Sequence, residues 1–215
     1  MEIKRDFIFD PSLVLYLPLY KLDGASFMSK DAYGHLCTVT GALWSPKGRK
    51  FDGIDDVIVC GGATDIQPAL ITAEVWFYAA TTMAGYETIF GNTSGALQHG
   101  WAIDWWSNKI RFYIEHYDTN QAYSDLTPDN CWHHIIGTYD GATIRIFHNM
   151  IEGTPDSYAT GMDYADTDGT MVGAPVTGGS SYAFSSIVGE ARLYSRVFVF
   201  PEVQHNYEAT KWRYK

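Results

Sequence analysis

The sequence predicts an all-β protein, a sandwich or barrel with one short C-terminal helix. Short apolar runs rich in Val, Ile and aromatic residues recur along the 215 residues, and Gly, Asn, Asp and Pro turns separate them. Such spacing fits many short antiparallel strands and not alternating βαβ units. Hydrophobic residues make up 46% of the chain and aromatics 15%, which supplies a packed core and argues against disorder.

In chain order, LVLYL (13–17), VIV (57–59), ITAEVWFY (71–78), ETIF (87–90), WAIDWW (101–106), KIRFYI (109–114), HHIIGTY (133–139), TIRIFH (143–148) and SSIVGEARLY (185–194) read as strands. Their β-branched and aromatic side chains suit a pleated, half-buried surface. PEVQHNYEATKW (201–212) reads as a helix, with Pro201 at its first position and Glu202 in its first turn. No repeat, low-complexity tract or linker interrupts the pattern, so one domain is expected over residues 1–215.

Two hairpins can be set in register. Ser107-Asn108 is a two-residue turn that pairs Trp106 with Lys109, Asp104 with Arg111 and Ala102 with Tyr113. Alternation then gives a core face of Trp101, Ile103, Trp105, Ile110, Phe112 and Ile114. The opposite face carries Asp104, Trp106, Lys109, Arg111, Tyr113 and Glu115. In ITAEVWFY the same logic turns Ala73, Val75 and Phe77 inward and Thr72, Glu74, Trp76 and Tyr78 outward. The second hairpin, in TYDGATIRIF, turns at Asp140-Gly141.

The formal net charge is −10, the wrong sign for a nucleic-acid partner. It suits a cation, or a neutral partner such as a sugar. No stretch approaches the ~18 apolar residues of a membrane helix, so no membrane insertion is expected. The start, MEIKRDFIFDPS, lacks the apolar run of a signal peptide. That fits a cytoplasmic product, a piece of a larger secreted protein or a virion part. Cys37, Cys60 and Cys131 form no CxxC pair; at most one disulfide can form, and otherwise all three act as small buried hydrophobes.

Sugars present apolar C–H faces and hydroxyl edges, so a glycan site needs aromatic planes flanked by polar side chains. Glu74, Trp76, Asp104, Trp106, Arg111 and Tyr113, with His134 beside them, supply both if they share one face. The alternative is a covered face on which Asp104 and Arg111 pair across the strands. His133 and His134 point to opposite faces of one strand, and there is no HExxH motif, so they make no zinc site by themselves. In FDGIDD (51–56), Asp52, Asp55 and Asp56 either cap a turn by accepting backbone N–H groups or hold calcium, a cation that wants several oxygen ligands. GAPVTGGSS (173–181) is followed by no Lys-Ser/Thr and no helix, so it is a rim loop and not a phosphate loop.

FDGIDDVIV (51–59), ITAEVWFYA (71–79), ETIFGN (87–92), CWHHIIGTYDGATIRIFHN (131–149) and SSIVGEARLYSRVF (185–198) resemble, in this order, the elements of laminin G-like domains of the concanavalin A-like lectin/glucanase superfamily. The resemblance covers nearly the whole chain. It implies a jelly roll of two antiparallel sheets, one concave and one convex, with glycans often bound on the concave face or the loop rim. It also implies a structural calcium ion, with Asp31 and Glu190 joining Asp52 and Asp55 as ligands. Pentraxin cousins bind calcium through an acidic cluster, but the matching segment here, MVGAPVTGGSS (171–181), has no carboxylate.

The expected function is therefore non-catalytic carbohydrate binding, with a glycan or polysaccharide as partner. The competing expectation is a structural or adhesion protein docked on a virion or cell-surface protein. A polysaccharide hydrolase or lyase is the third option. It needs paired carboxylates, for which Glu74, Asp104 and Glu115 are candidates. The E-x-D-x-x-E run of the family's glucanases is missing, since WAIDWW holds one acid, so no enzyme is expected.

Overall fold

The computed structural model describes residues 6–165, 167, 169–175 and 181–215. Among these the strands are β1 (Leu13–Leu17), β2 (Ser26–Met28), β3 (Leu36–Thr40), β4 (Leu43–Ser45), β5 (Gly48–Lys50), β6 (Val57–Val59), β7 (Ile71–Ala79), β8 (Tyr86–Asn92) and β9 (Gln98–Trp106). They continue as β10 (Lys109–His116), β11 (Gln121–Asp125), β12 (Cys131–Tyr139), β13 (Thr143–His148), β14 (Ile151–Glu152), β15 (Asp156–Ser157), β16 (Thr170–Val172) and β17 (Ile187–Tyr194). Helix α1 (Phe200–Thr210) follows and ends in a 3-10 turn over Lys211–Tyr214.

Two antiparallel sheets result. A nine-stranded sheet runs β14-β13-β12-β7-β17-β5-β4, with β1 also beside β17 and β15 beside β13. An eight-stranded sheet runs β11-β10-β9-β8-β16-β6-β3-β2. The expected strands are all present. Those missed, β2 to β5, β11 and β14 to β16, are short pieces whose hydrophobic alternation spans too few residues to register.

The β9–β10 hairpin has the expected register, with Trp106 opposite Lys109, Asp104 opposite Arg111 and Ala102 opposite Tyr113. Ser107 and Asn108 both take positive φ, as a type I′ turn requires. At the second hairpin the Asp140 carboxylate accepts the Ala142 and Thr143 N–H groups, and Gly141 supplies the left-handed residue. The core lies between the sheets. Ala73, Val75 and Phe77 of β7 and Ile135 of β12 meet Trp101, Ile103 and Trp105 of β9 and Ile110, Phe112 and Ile114 of β10.

Helix α1 starts where Pro201 and Glu202 place it, and the Glu202 carboxylate reaches back to accept the Val199 N–H. The helix covers the outer face of β7, where Asn206 and Thr210 hydrogen-bond to Glu74 and Trp76. So Thr72, Glu74 and Trp76 do point away from the core, yet all three are buried.

The inter-sheet gap is filled to contact at Gly137 of β12, where an added Cβ would stand 2.3 Å from the Phe112 ring. Gly137→Ala should therefore overpack the core and cost about 1–3 kcal/mol. Chemical denaturation would check this, and an unchanged midpoint would show that Phe112 yields freely.

Candidate functional site

The seven expected glycan-contacting residues do not share a face. Glu74, Trp76 and His134 stand on the outer side of the nine-stranded sheet, on β7 and β12. Asp104, Trp106, Arg111 and Tyr113 stand on β9 and β10 of the other sheet. The expectation of one continuous aromatic–polar face is corrected by this topology. Alternation along each strand says which residues point away from the core, and it is silent on which sheet a strand joins.

The first group is sealed under α1. Glu74 accepts from His134 Nε2 at 2.8 Å and from Arg192 at 2.6 Å through one oxygen, and from Asn206 at 2.7 Å through the other. Arg192 continues to Glu190 at 2.6 Å, and Glu190 to Arg213 at 2.9 Å. The Trp76 indole donates to Thr210 and stacks on Tyr214, with ring centroids 4.6 Å apart. Burial by itself would raise the Glu74 pKa; the Arg192 charge and the His134 and Asn206 hydrogen bonds outweigh it and hold the group at about 2. These side chains form a buried ionic core in which each charge has an opposite partner, with Arg192 Nε and His134 Nδ1 left without a hydrogen bond among the described residues, and they are closed to a sugar.

The second group divides again. Asp104 and Arg111 form a buried two-pronged pair at 2.7 and 3.1 Å, and Tyr86 donates to the same carboxylate. With one guanidinium and one phenol as support, burial wins, and the Asp104 pKa lies above the ordinary carboxylate range. Tyr113 is fully buried, packs with Leu97 and Ala102 and donates to Thr93, so it offers no stacking plane. Trp106 is different: it is 47% exposed.

Trp106 borders a cleft of about 370 Å³. Lys109 and Arg111 of β10, Thr119 of the following turn, Gln121 and Tyr123 of β11, and Thr154, Pro155 and Asp156 line the rest. Register explains the grouping: Tyr123 lies opposite Arg111, and Gln121 opposite Tyr113. Tyr123 and Thr154 exchange both backbone hydrogen bonds, which brings the 154–156 segment to the edge of β11. Lys109 Nζ sits 3.9 Å over the Tyr123 ring. The sequence reading found Trp106 and Arg111 and missed the β11 wall. Its signal was the alternation of Gln121, Tyr123 and Asp125 with Ala122, Ser124 and Leu126.

The residues expected as calcium ligands also separate. Asp52, Asp55 and Asp56 each place a carboxylate oxygen within 4.8 Å of the others. Asp56 accepts the Asp52 N–H, and Asp52 accepts the Ile54 N–H, so the turn is capped as well. Burial, and then the Asp52 and Asp55 charges, raise the Asp56 pKa. Asp31 stands outside this cluster and accepts the Tyr16, Tyr33 and Gly34 N–H groups. Glu190 is held between Arg192 and Arg213, where a further cation has no place. Of the rim loop 173–181, residues 176–180 lie outside the described residues. His133 faces inward, with His148 at 2.8 Å on one ring nitrogen and Asp129 at 2.9 Å on the other.

The chain belongs to the concanavalin A-like lectin/glucanases superfamily: the laminin G-type family model described by that name matches residues 52–204. A search of curated protein sequences returns no match. Among solved structures, Trypanosoma rangeli sialidase in complex with sialic acid is similar with a TM-score of 0.74 at 15% identity, over 95% of this chain and 34% of that one. The receptor-binding domain of botulinum neurotoxin mosaic serotype C/D gives 0.70 at 13% identity, over 93% and 51%. The binding domain of botulinum neurotoxin serotype D gives 0.70 at 13%, over 93% and 52%. This chain thus spans about a third of the sialidase and half of the toxin domains, and the likeness is one of fold.

The ionic core makes stability acid-sensitive with a defined sign. The folded Glu74 pKa of about 2 lies below its ordinary 4.5, so the unfolded chain takes up the proton first. The stabilisation is complete above pH 4.5 and is lost as pH falls toward 2. Glu74→Gln should lower stability at neutral pH by about 3 kcal/mol, because it leaves buried guanidinium charge short of a partner. It should also flatten the acid limb of the stability–pH profile. Identical acid limbs in variant and parent would show that Glu74 does not set it.

Proposed function

We propose that this chain is a non-catalytic carbohydrate-binding domain and that its site is the cleft beside Trp106. The observation that carries the reading is an indole 47% exposed at the mouth of a cleft lined by hydrogen-bonding side chains. The indole offers a plane for the apolar face of a sugar. Lys109, Thr119, Gln121 and Asp156 offer donors and acceptors for hydroxyl edges. The Arg111 guanidinium, fixed by Asp104, forms a rigid floor. Neighbours of the same fold include a sialidase solved with sialic acid and toxin receptor-binding domains, which supports the reading by analogy of fold.

The absence of catalysis is part of the proposal. Glu74 and Asp104 lie on different sheets, each tied to an arginine. Glu115 accepts the Gly100 and Asp163 N–H groups. These three therefore do not form the carboxylate pair that most glycoside hydrolases place on either side of the bond they cleave.

Binding to a broad glycan and polysaccharide array tests the site. A saturable ligand should be found, and Trp106→Ala should weaken it by about 2 kcal/mol, roughly 30-fold, as for a central aromatic anchor. The melting temperature should hardly move, because the side chain is half exposed. Binding that survives the substitution would remove the site from this cleft. A blank array would favour the second reading, a structural or adhesion part on a virion or cell-surface protein. That reading draws on Met28 and Leu36 at the β2–β3 edge and Leu43 and Trp44 at the β4 edge, all exposed.

We also propose a structural calcium ion at Asp52, Asp55 and Asp56. The donor set fits a hard cation, and a bound ion would offset the burial, and then the Asp52 and Asp55 charges, that raise the Asp56 pKa. Saturating EDTA should lower the melting temperature by about 5 °C and excess calcium should restore it, by linkage. A melt indifferent to both would leave the three carboxylates as turn caps.

A further inference from the structure

Cys37 lies on β3 of the eight-stranded sheet, and Cys60 directly follows the neighbouring strand β6. β3 and β6 run antiparallel with Thr38 opposite Val59, and one step along that register sets Cys37 directly opposite Cys60. Directly opposed residues of antiparallel strands have Cα atoms about 4.5 or 5.5 Å apart, within the window of about 4.4–6.8 Å that a disulfide spans. Both side chains point into the core and both are buried. Their Sγ atoms stand 2.9 Å apart. The third thiol, Cys131, is exposed at the start of β12 in the other sheet.

We propose that Cys37 and Cys60 close a disulfide when the chain folds under oxidising conditions, and that this bond pins β3 to β6 across the segment between them. That segment carries β4, β5 and the Asp52–Asp56 turn. The partners are 23 positions apart, so the bond closes a loop long enough for the loss of unfolded-state entropy to stabilise the fold. All three cysteines are thiols in this structure, and the register needs no change of pairing to accept the bond.

The chemistry is ordinary thiol–disulfide exchange with a small disulfide such as oxidised glutathione. The thiolate of one cysteine attacks the oxidant, forms a mixed disulfide and releases one reduced glutathione. The thiolate of the other attacks the protein sulfur of that intermediate, forms the Cys37–Cys60 bond and releases the second. Two protein thiols lose two protons and two electrons, and one glutathione disulfide gains them. Exchange belongs to folding and not to the finished sandwich. Once β6 is in place, the hydrogen bond that the Cys60 thiol shares with Cys37, and burial, raise the Cys60 pKa and suppress its thiolate. A bond made in this way marks a chain that folds or works outside the reducing cytosol.

The test refolds the full chain and its Cys131→Ser variant from denatured, reduced protein in a glutathione redox couple, with a dithiothreitol-only refolding beside it. Maleimide labelling under denaturing conditions should then find no free thiol in oxidised Cys131→Ser and two in the reduced sample. Peptide mapping of the parent should join Cys37 to Cys60. The oxidised form should melt roughly 5–10 °C above the reduced one, and a Cys37→Ala/Cys60→Ala protein should show no dependence on reductant. Two labelled thiols after oxidative refolding, or a bond to Cys131 in their place, would overturn the proposal. If Cys131→Ser fails to fold, the peptide map of the parent decides by itself.

Discussion

The structure depends on charge neutrality beneath its C-terminal helix. β7 is buried on both faces, so the nine-stranded sheet is sandwiched between the core and α1. An outer face composed of Glu74, Glu190 and Arg192 can be buried only if each charge meets its opposite. Two carboxylates and two guanidinium groups, the second from Arg213, alternate along one chain of contacts. Asn206 closes the free oxygen of Glu74 from the helix side. The network therefore specifies where the helix docks as well as how firmly. A helix shifted by one residue would withdraw Asn206 and leave buried charge short of a partner, a loss of several kcal/mol.

The same physics governs the opposite side of the sandwich with a smaller set. Asp104 and Arg111 pair across the β9–β10 hairpin, and a ring of Tyr86, Tyr117 and Tyr182 packs around their neighbour Tyr113. Charged residues that face away from a sheet are not thereby solvent-facing. Both outer faces of this molecule are covered at their centres, and open side chains remain at the margins. Trp106 escapes burial because it is the last residue of β9, next to the turn, where the covering layer ends.

Much of this was legible in the sequence. The Ser107-Asn108 turn set the hairpin register to the residue, because a two-residue loop permits one pairing and alternation does the rest. The helix start was legible from Pro201 and Glu202, whose stereochemistry acts locally. The candidate site was legible only on its β9–β10 side, at Trp106 and Arg111. Glu74 and Asp104 sit in strands of similar pattern, and nothing local distinguishes a strand of one sheet from a strand of the other. The same limit applies to Glu190: its place among acidic residues was inferred by resemblance, whereas its partners are Arg192, two positions along the same strand, and Arg213, which only the docking of the chain end brings to it. The wall of the cleft formed by Tyr123 and Gln121 alternated visibly, but over a strand too short to stand out from a loop.

Edges explain why the cleft forms where it does. β11 ends the eight-stranded sheet, and an edge strand leaves backbone groups in need of partners. Tyr123 finds them in Thr154, a residue of the segment that also adds β14 and β15 to the other sheet. The two backbones approach so closely there that a Cβ on Gly153 would stand 2.3 Å from the Tyr123 carbonyl oxygen. Glycine permits the contact, and the contact links the two sheets along this margin. A concavity bounded by two linked edges keeps its shape without a ligand, so little ordering cost is left to be met on binding. Pro155 apart, the residues that line it are polar or aromatic, side chains that meet both water and the hydroxyl edges and apolar faces of a ligand.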